Sequence, residues 1–214
     1  MDKSLHEYRK SYTKGKLDIA DVSKNPMKQF NSWFQEAESS QTIDEVNAMT
    51  ISTVDASGMP RNRVVLLKEV TFDGFVFYTN YKSKKGIAIA ENPLVSLSFF
   101  WPSLERQIII QGRVEKISEE KSKAYFNTRP RDSKLGALVS EQSQEIASRS
   151  ELEKKLAMLQ EEFKNKEIIK PKDWGGYLIK PLFLEFWQGR SSRLHDRICY
   201  AKNESGWDIK RLQP

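Results

Sequence analysis

Between residues 48 and 117 the chain is dominated by short runs of β-branched and aromatic residues separated by turn formers, a pattern that excludes an all-helical architecture. Met49 to Val54, Arg63 to Lys68, Phe75 to Thr79 and Leu94 to Phe100 each read as a strand. Ser57-Gly58 and Asp73-Gly74 tolerate the positive φ of hairpin turns, so the first three strands are expected to form an antiparallel meander. Glu105 to Ile117 reads as a strand long enough to bend. The pattern returns in Gly176 to Lys180, Leu184 to Gln188, Leu194 to Ala201 and Trp207 to Leu212. The regular strand-helix alternation of a doubly wound sheet is missing, as is any internal repeat. The expected fold is mainly β with peripheral helices (α+β), a small closed or split barrel.

Helix signals lie at the margins of the strands. Asn25 can cap a helix with Pro26 in its first turn, and Met27, Phe30 and Phe34 recur on one face that should enter the core. Ser83 can cap a helix from Lys84 to about Glu91, closed by Asn92-Pro93, and Ser118 another that ends near Thr128. A further helix from Glu151 to about Lys164 places Leu152, Leu156, Leu159 and Phe163 along one stripe. Residues 1–24 are charged and weakly periodic, which predicts a mobile arm or lid, and residues 25–214 are expected to form one domain. With 214 residues, 38% of them hydrophobic, one substantial core is the natural outcome. The single cysteine, Cys199, suits a reducing compartment, and no apolar run approaches the ~20 residues of a membrane helix. A polar N-terminus is unlike a signal peptide, so the expectation is a cytoplasmic chain.

A net charge of +6 is compatible with a solvated surface, an anion site or nucleic acid. The cations fall in separate small clusters, the pattern of a phosphometabolite site rather than of a nucleic-acid stripe. Ser83-Lys84-Lys85 puts two ammonium groups at a helix start, a conflict that a phosphate would resolve, although two solvated lysines fit equally well. Arg63 to Lys68 is an apolar strand with a cation at each end, and both cations can simply snorkel. Tyr125 precedes Arg129-Pro130-Arg131-Asp132-Ser133 by one helical turn, an array of donors for a phosphate or else an exposed linker with Arg-Asp pairing. Trp187-Gln188-Gly189 is followed by Arg193-Leu194-His195-Asp196-Arg197. If extended, that run points Arg193, His195 and Arg197 from one face, where an anionic or electron-rich ligand would relieve their repulsion; edge-strand charge is the alternative. No Gly-rich phosphate loop, Cys/His metal spacing or nucleophile elbow is present, so no metal is expected.

Taken together, Arg63-Val64-Val65-Leu66-Leu67-Lys68, Phe77-Tyr78-Thr79-Asn80, Leu104-Glu105-Arg106-Gln107, Thr128-Arg129-Pro130-Arg131-Asp132-Ser133 and the Trp187 to Arg197 segment resemble the pyridoxine/pyridoxamine 5′-phosphate oxidase family, in its order and from about Arg9 to Pro214. The resemblance implies an FMN-binding split β-barrel, a homodimer with flavin sites at the subunit interface. On matching positions it implies FMN contacts from Arg63, Lys68, Tyr78, Thr79, Lys84, Lys85, Gln107, Gln142, Ser143, Trp187 and Arg197. It implies a substrate grip from Lys68, Tyr125, Arg129 and Ser133, with Arg193 and His195 over the pyridine ring as the catalytic pair, and a lid carrying Arg9 and Tyr12. Lys84 stands where family members often carry arginine, which keeps the charge and loses the planar fork.

The implied reaction is hydride transfer from C4′ of pyridoxine or pyridoxamine 5′-phosphate to the flavin, with dioxygen reduced to hydrogen peroxide. A split-barrel reductase using a nicotinamide donor leaves Tyr125, Arg129 and Ser133 without a purpose. A colourless RNA-binding or storage module is favoured by charge alone. The expected partners are therefore the small substrate, dioxygen and a second copy of the chain, without nucleic acid or membrane.

Overall fold

A computed structural model describes residues 4–214; the first three residues of the expected arm lie outside them. In chain order the elements are α1 (Pro26–Ser39), β1 (Ala48–Val54), β2 (Pro60–Leu66), β3 (Glu69–Val70), β4 (Phe75–Asn80), α2 (Lys84–Glu91), β5 (Leu94–Trp101) and β6 (Arg106–Lys116). Then follow α3 (Glu119–Thr128), α4 (Arg131–Val139), α5 (Arg149–Glu162), β7 (Trp174–Gln188), β8 (Asp196–Asn203) and β9 (Gly206–Leu212). The hydrogen-bonded strand order is β2-β1-β5-β6-β7-β4-β3, with β8 paired to β7 and β9. No helix among the described residues is long and apolar enough to cross a membrane.

The expected caps are where the local chemistry places them. The Asn25 side chain accepts from the N–H groups of Met27 and Lys28, that of Ser83 from Gly86, and that of Ser118 from Lys121. The expected meander forms in part: β1 and β2 pair across the Ser57-Gly58 turn, but β2 is not paired with β4. Asp73-Gly74 does turn a hairpin, but between β3 and β4, with Glu69 opposite Val76 and Val70 opposite Phe75. The other edge of β4 pairs with β7, Tyr78 facing Gly176 and Thr79 facing Gly175. Phe75, Val76 and Phe77 are fully buried, and the Phe77 ring lies 5.6 Å from that of Tyr177 on β7. The two strands expected at 176–180 and 184–188 are one, β7, which continues through Pro181.

The chain packs as two compact units, one of residues 1–50, 96–111 and 181–214, the other of residues 51–95 and 112–180. The first has an aromatic core: Phe30 meets Phe99 at 5.3 Å between ring centroids, Trp33 meets Phe186 at 5.2 Å and Phe186 meets Tyr200 at 5.6 Å. Met27 and Phe30 are buried as expected, but Trp33 goes deeper than Phe34. In the second unit Phe126, Leu135, Ile168 and Trp174 form a cluster against which Leu156, Leu159 and Phe163 of the α5 stripe pack. The stripe thus packs on α3, α4 and the start of β7 at Trp174. Helix α4 itself has no counterpart in the sequence reading, because Pro130 at its start provides no side-chain cap.

Candidate active site

Within the second unit, eight of the expected residues line one cavity of about 670 Å³: Lys68, Tyr78, Thr79, Lys85, Tyr125, Arg129, Ser133 and Gln142. Strand β4 presents Tyr78 and Thr79; the break between α3 and α4 presents Arg129, with Tyr125 one turn before it on α3 and Ser133 in the first turn of α4. Tyr78 and Tyr125 stack with ring centroids 3.8 Å apart, and Trp174 continues the stack 5.5 Å from Tyr78. Burial, then the charge of Glu69, pushes the Tyr78 phenol up to about 12, and burial raises that of Tyr125. Both hydroxyls therefore remain hydrogen-bond donors at neutral pH.

Arg129 leans on the same rings, its guanidinium 4.8 Å from the Trp174 centroid. Its Nη1 is a buried nitrogen without a hydrogen-bond partner, and Arg131 of the same segment donates to the Phe163 carbonyl. A buried guanidinium N–H left open next to a cavity is costly unless an acceptor fills it. Lys85 faces the cavity too. It donates to Gln142 Oε1 at 2.8 Å and to Thr79 Oγ1 at 3.1 Å, and burial, with the nearby Arg63 charge second, pushes its ammonium down to about 8.

The expected phosphate cluster at Ser83-Lys84-Lys85 is split. Ser83 is fully buried, caps α2 and donates to the Asn80 carbonyl at 2.7 Å, so its hydroxyl is spent inside the fold. Lys84 and Arg63 line a second cavity of about 310 Å³, where Arg63 Nη1 donates to Thr53 Oγ1 at 2.8 Å. Ser143 follows Gln142 in an exposed turn with φ 76°.

The first unit holds the remaining residues. Arg9, Tyr12, Arg193 and His195 line a cavity of about 470 Å³, joined by Lys10 and Arg190, which the sequence reading did not single out. The extended run expected at 193–197 is not there. Ser191–Arg193 is a kinked turn in which Ser192 and Arg193 have φ of 55° and 61°, and β8 begins only at Asp196. Arg193, His195 and Arg197 therefore do not share a strand face. What closes the loop is the Arg190 backbone N–H, which donates to His195 Nδ1 at 3.0 Å. Burial, then the Arg193 charge, lowers the His195 pKa, so the ring is neutral at neutral pH and its Nε2 carries the proton. Tyr12 sits over the loop, its ring 5.8 Å from those of both Trp187 and His195. Arg197 closes its fork on Glu185 at 2.7 and 2.9 Å, and Gln107 is half-buried on β6.

Trp174 is the residue of the aromatic wall that local sequence does not reveal. Its signal was the Gly175-Gly176 pair behind it, since a Cβ at Gly176 would lie 2.8 Å from the Tyr78 ring.

The nine-stranded antiparallel sheet with its peripheral helices belongs to the split-barrel class, as its likeness to solved structures shows. PhzG from Burkholderia lata, solved with tetrahydrophenazine-1-carboxylic acid, shares the fold at a TM-score of 0.86 and 25% identity, over 94% of this chain and 100% of that one. A protein from Nostoc punctiforme described as pyridoxamine 5′-phosphate oxidase-related and FMN binding shares it at 0.69 and 16% identity, over 86% and 97%. Within that class, residues 35–161 match the family described as pyridoxamine 5′-phosphate oxidase, and residues 174–214 the pyridoxine 5′-phosphate oxidase C-terminal dimerisation region. A pyridoxine/pyridoxamine 5′-phosphate oxidase of Christiangramia forsetii is 54% identical over the whole of both chains, and one of Leptospira interrogans 49% identical, again over both. The chain belongs to the pyridoxine/pyridoxamine 5′-phosphate oxidase family and is an oxidoreductase of vitamin B6 metabolism.

Proposed function

We propose that this chain binds FMN and oxidises pyridoxine 5′-phosphate or pyridoxamine 5′-phosphate to pyridoxal 5′-phosphate, with dioxygen as the final acceptor. The observation that carries the reading is the open, buried Nη1 of Arg129 beside Tyr125 and Ser133: three donors converge on a cavity, with no carboxylate among its lining residues. That is a phosphate grip. Lys68 lines the same cavity and adds a cation between substrate and cofactor.

The donor set also fits a phosphorylated flavin. Lys85 has only neutral acceptors within hydrogen-bond reach, and burial, then the Arg63 charge, depresses its pKa. With Arg63, Lys84, Thr79, Gln142 and Ser143 it would take the phosphate and ribityl end, while Tyr78, Gln107, Trp187 and Arg197 would bear on the ring system. When bound, FMN would supply the two-electron acceptor for hydride from C4′ and the route of those electrons to dioxygen, giving hydrogen peroxide; from the amine substrate, water would hydrolyse the resulting imine and release ammonia. The chain's own residues orient. Neutral His195 offers Nε2–H as a donor, and Arg193 brings a fixed positive charge to the reacting end of the substrate.

We read the assembly as a cytoplasmic homodimer with flavin sites at the subunit interface, in keeping with the dimerisation region at 174–214. Residues 1–24 act as a lid and residues 25–214 as one functional domain. The test is the visible spectrum of purified protein, followed by oxygen uptake with pyridoxamine 5′-phosphate. A yellow protein that consumes oxygen with this ester is expected; a chain that refuses FMN, or binds it and leaves the ester untouched, overturns the reading.

A further inference from the structure

Glu105 is the least expected residue of the first unit. It is only 1% exposed, and its backbone takes the left-handed φ of 55° that non-glycine residues rarely adopt. A carboxylate so deeply buried needs strong partners, and its partners come from an otherwise exposed arm. Oε2 accepts from the backbone N–H of Thr13 at 2.7 Å and of Lys14 at 2.9 Å, while the Lys10 ammonium stands 3.7 Å from Oε1.

The backbone of the same residue reaches the opposite way. Its carbonyl accepts from the Gly189 N–H at 2.7 Å and from Gln188 Nε2 at 3.2 Å, the point where β7 gives way to the loop of Arg193 and His195. Tyr12 closes the circuit. Its ring lies where a side chain on Gly189 would be, since a Cβ there would come within 2.7 Å of the ring's Cγ. One residue thus grips the arm with its side chain and the catalytic loop's root with its main chain.

We propose that Glu105 is the latch of the N-terminal arm, a positioning residue whose buried carboxylate sets Arg9 and Tyr12 beside Arg193 and His195. Its arm-holding part is independent of the reaction; its effect on turnover rests on the function proposed above. Two N–H groups on one carboxylate oxygen are charge-assisted bonds, stronger than neutral ones, so their loss frees the segment that carries both lid residues.

The experiment uses the full-length, FMN-loaded protein and two readouts: tryptic cleavage in the arm, at Arg9, Lys10, Lys14 and Lys16, and steady-state kinetics with pyridoxamine 5′-phosphate. In Glu105→Ala, arm cleavage under native conditions is expected to accelerate about tenfold and KM to rise by a similar factor, with kcat and flavin content little changed. Glu105→Gln keeps an oxygen that can accept both N–H groups and should fall between Ala and the parent. Should Glu105→Ala fail to fold, Thr13→Pro removes one donor from the exposed arm, leaves the buried carboxylate in place and is expected to shift both readouts in the same direction. Unchanged cleavage in the folded variants overturns the latch. Faster cleavage with unchanged KM overturns its positioning role. A parent protein inert towards the ester removes the function proposed above, and cleavage alone then decides whether Glu105 holds the arm.

Discussion

The guanidinium of Arg129 lies over the indole of Trp174, 4.8 Å from its centroid, and Tyr125 runs almost parallel to the same indole at 6°. A flat cation on a flat ring has its in-plane N–H groups aimed sideways, and Nη1 of Arg129 is the one left without a partner. Trp174 thereby holds the guanidinium whose open N–H we propose as a donor to the substrate phosphate.

Replacing Trp174 by leucine should therefore raise KM for the phosphorylated substrate about tenfold, in line with a partly desolvated cation–π contact, and leave flavin content near that of the parent. Trp174→Phe keeps a ring face and should lose less. Steady-state kinetics alongside the flavin absorbance decides; an unaltered KM in the leucine variant would mean that Arg129 is held by something else.

Lys85 makes a pH prediction. Burial and the Arg63 charge bring its pKa from 10.5 to about 8, so the folded, ligand-free chain holds fewer protons than the unfolded one between those values. Stability of the ligand-free protein contributed by this group thus rises as pH increases through that window. Phosphate reverses the preference, because it favours the ammonium form. FMN affinity should fall as pH climbs past about 8, and Lys85→Met should flatten that dependence. Flavin fluorescence quenching on titration into the ligand-free protein, from neutral pH to about pH 9.5, measures it. A parent affinity constant across that range would separate Lys85 from the cofactor phosphate.

What was legible in the sequence was what is decided locally. Asn25, Ser83 and Ser118 each satisfy helix N–H groups two or three residues away, so their helices could be read from the chain. Tyr125 and Arg129 are one helical turn apart, which spacing reveals, and Ser133 joins them from the first turn of α4 across the extended Arg129-Pro130 break. The pairing of β4 with β7 joins residues about a hundred positions apart, and no turn signal encodes it. Trp174 reaches the site through that pairing, which is why it escaped notice. The loop of Arg193 and His195 misled for another reason: its alternating residues imitate a strand, while the positive φ of Ser192 and Arg193 and the Arg190–His195 hydrogen bond turn it into a loop.

His195 should titrate below 6.5, because burial and then the Arg193 charge oppose its cationic form. Its folded pKa lies under the unfolded one, so the stability associated with the neutral ring is present above pH 6.5 and declines as pH falls below that value. Protonation also removes the lone pair at Nδ1 that accepts from Arg190. Turnover is expected to fall on the acid side with the same midpoint. With His6 changed to glutamine, the remaining imidazole resonance can be followed by NMR; a midpoint above 6.5 would contradict the assignment of a neutral donor.

Arg193 provides the sharpest separation of binding from chemistry. Its side chain is exposed at the rim of the cavity that holds Tyr12 and His195, and its backbone has φ 61°, a conformation tolerated only where the surrounding loop enforces it. Under the proposed function, a guanidinium in that place can donate to the oxygen or nitrogen on C4′ and favour the deprotonated, electron-rich form from which hydride leaves, a contribution of roughly 10²–10³ in rate. Arg193→Ala should therefore lower kcat by about two orders of magnitude while flavin content changes little. The substitution also removes a like charge from His195, so the imidazole midpoint should rise in the same variant. Parallel loss of flavin and activity would place Arg193 on the cofactor instead, and an unchanged His195 midpoint would show that the two side chains do not sense each other.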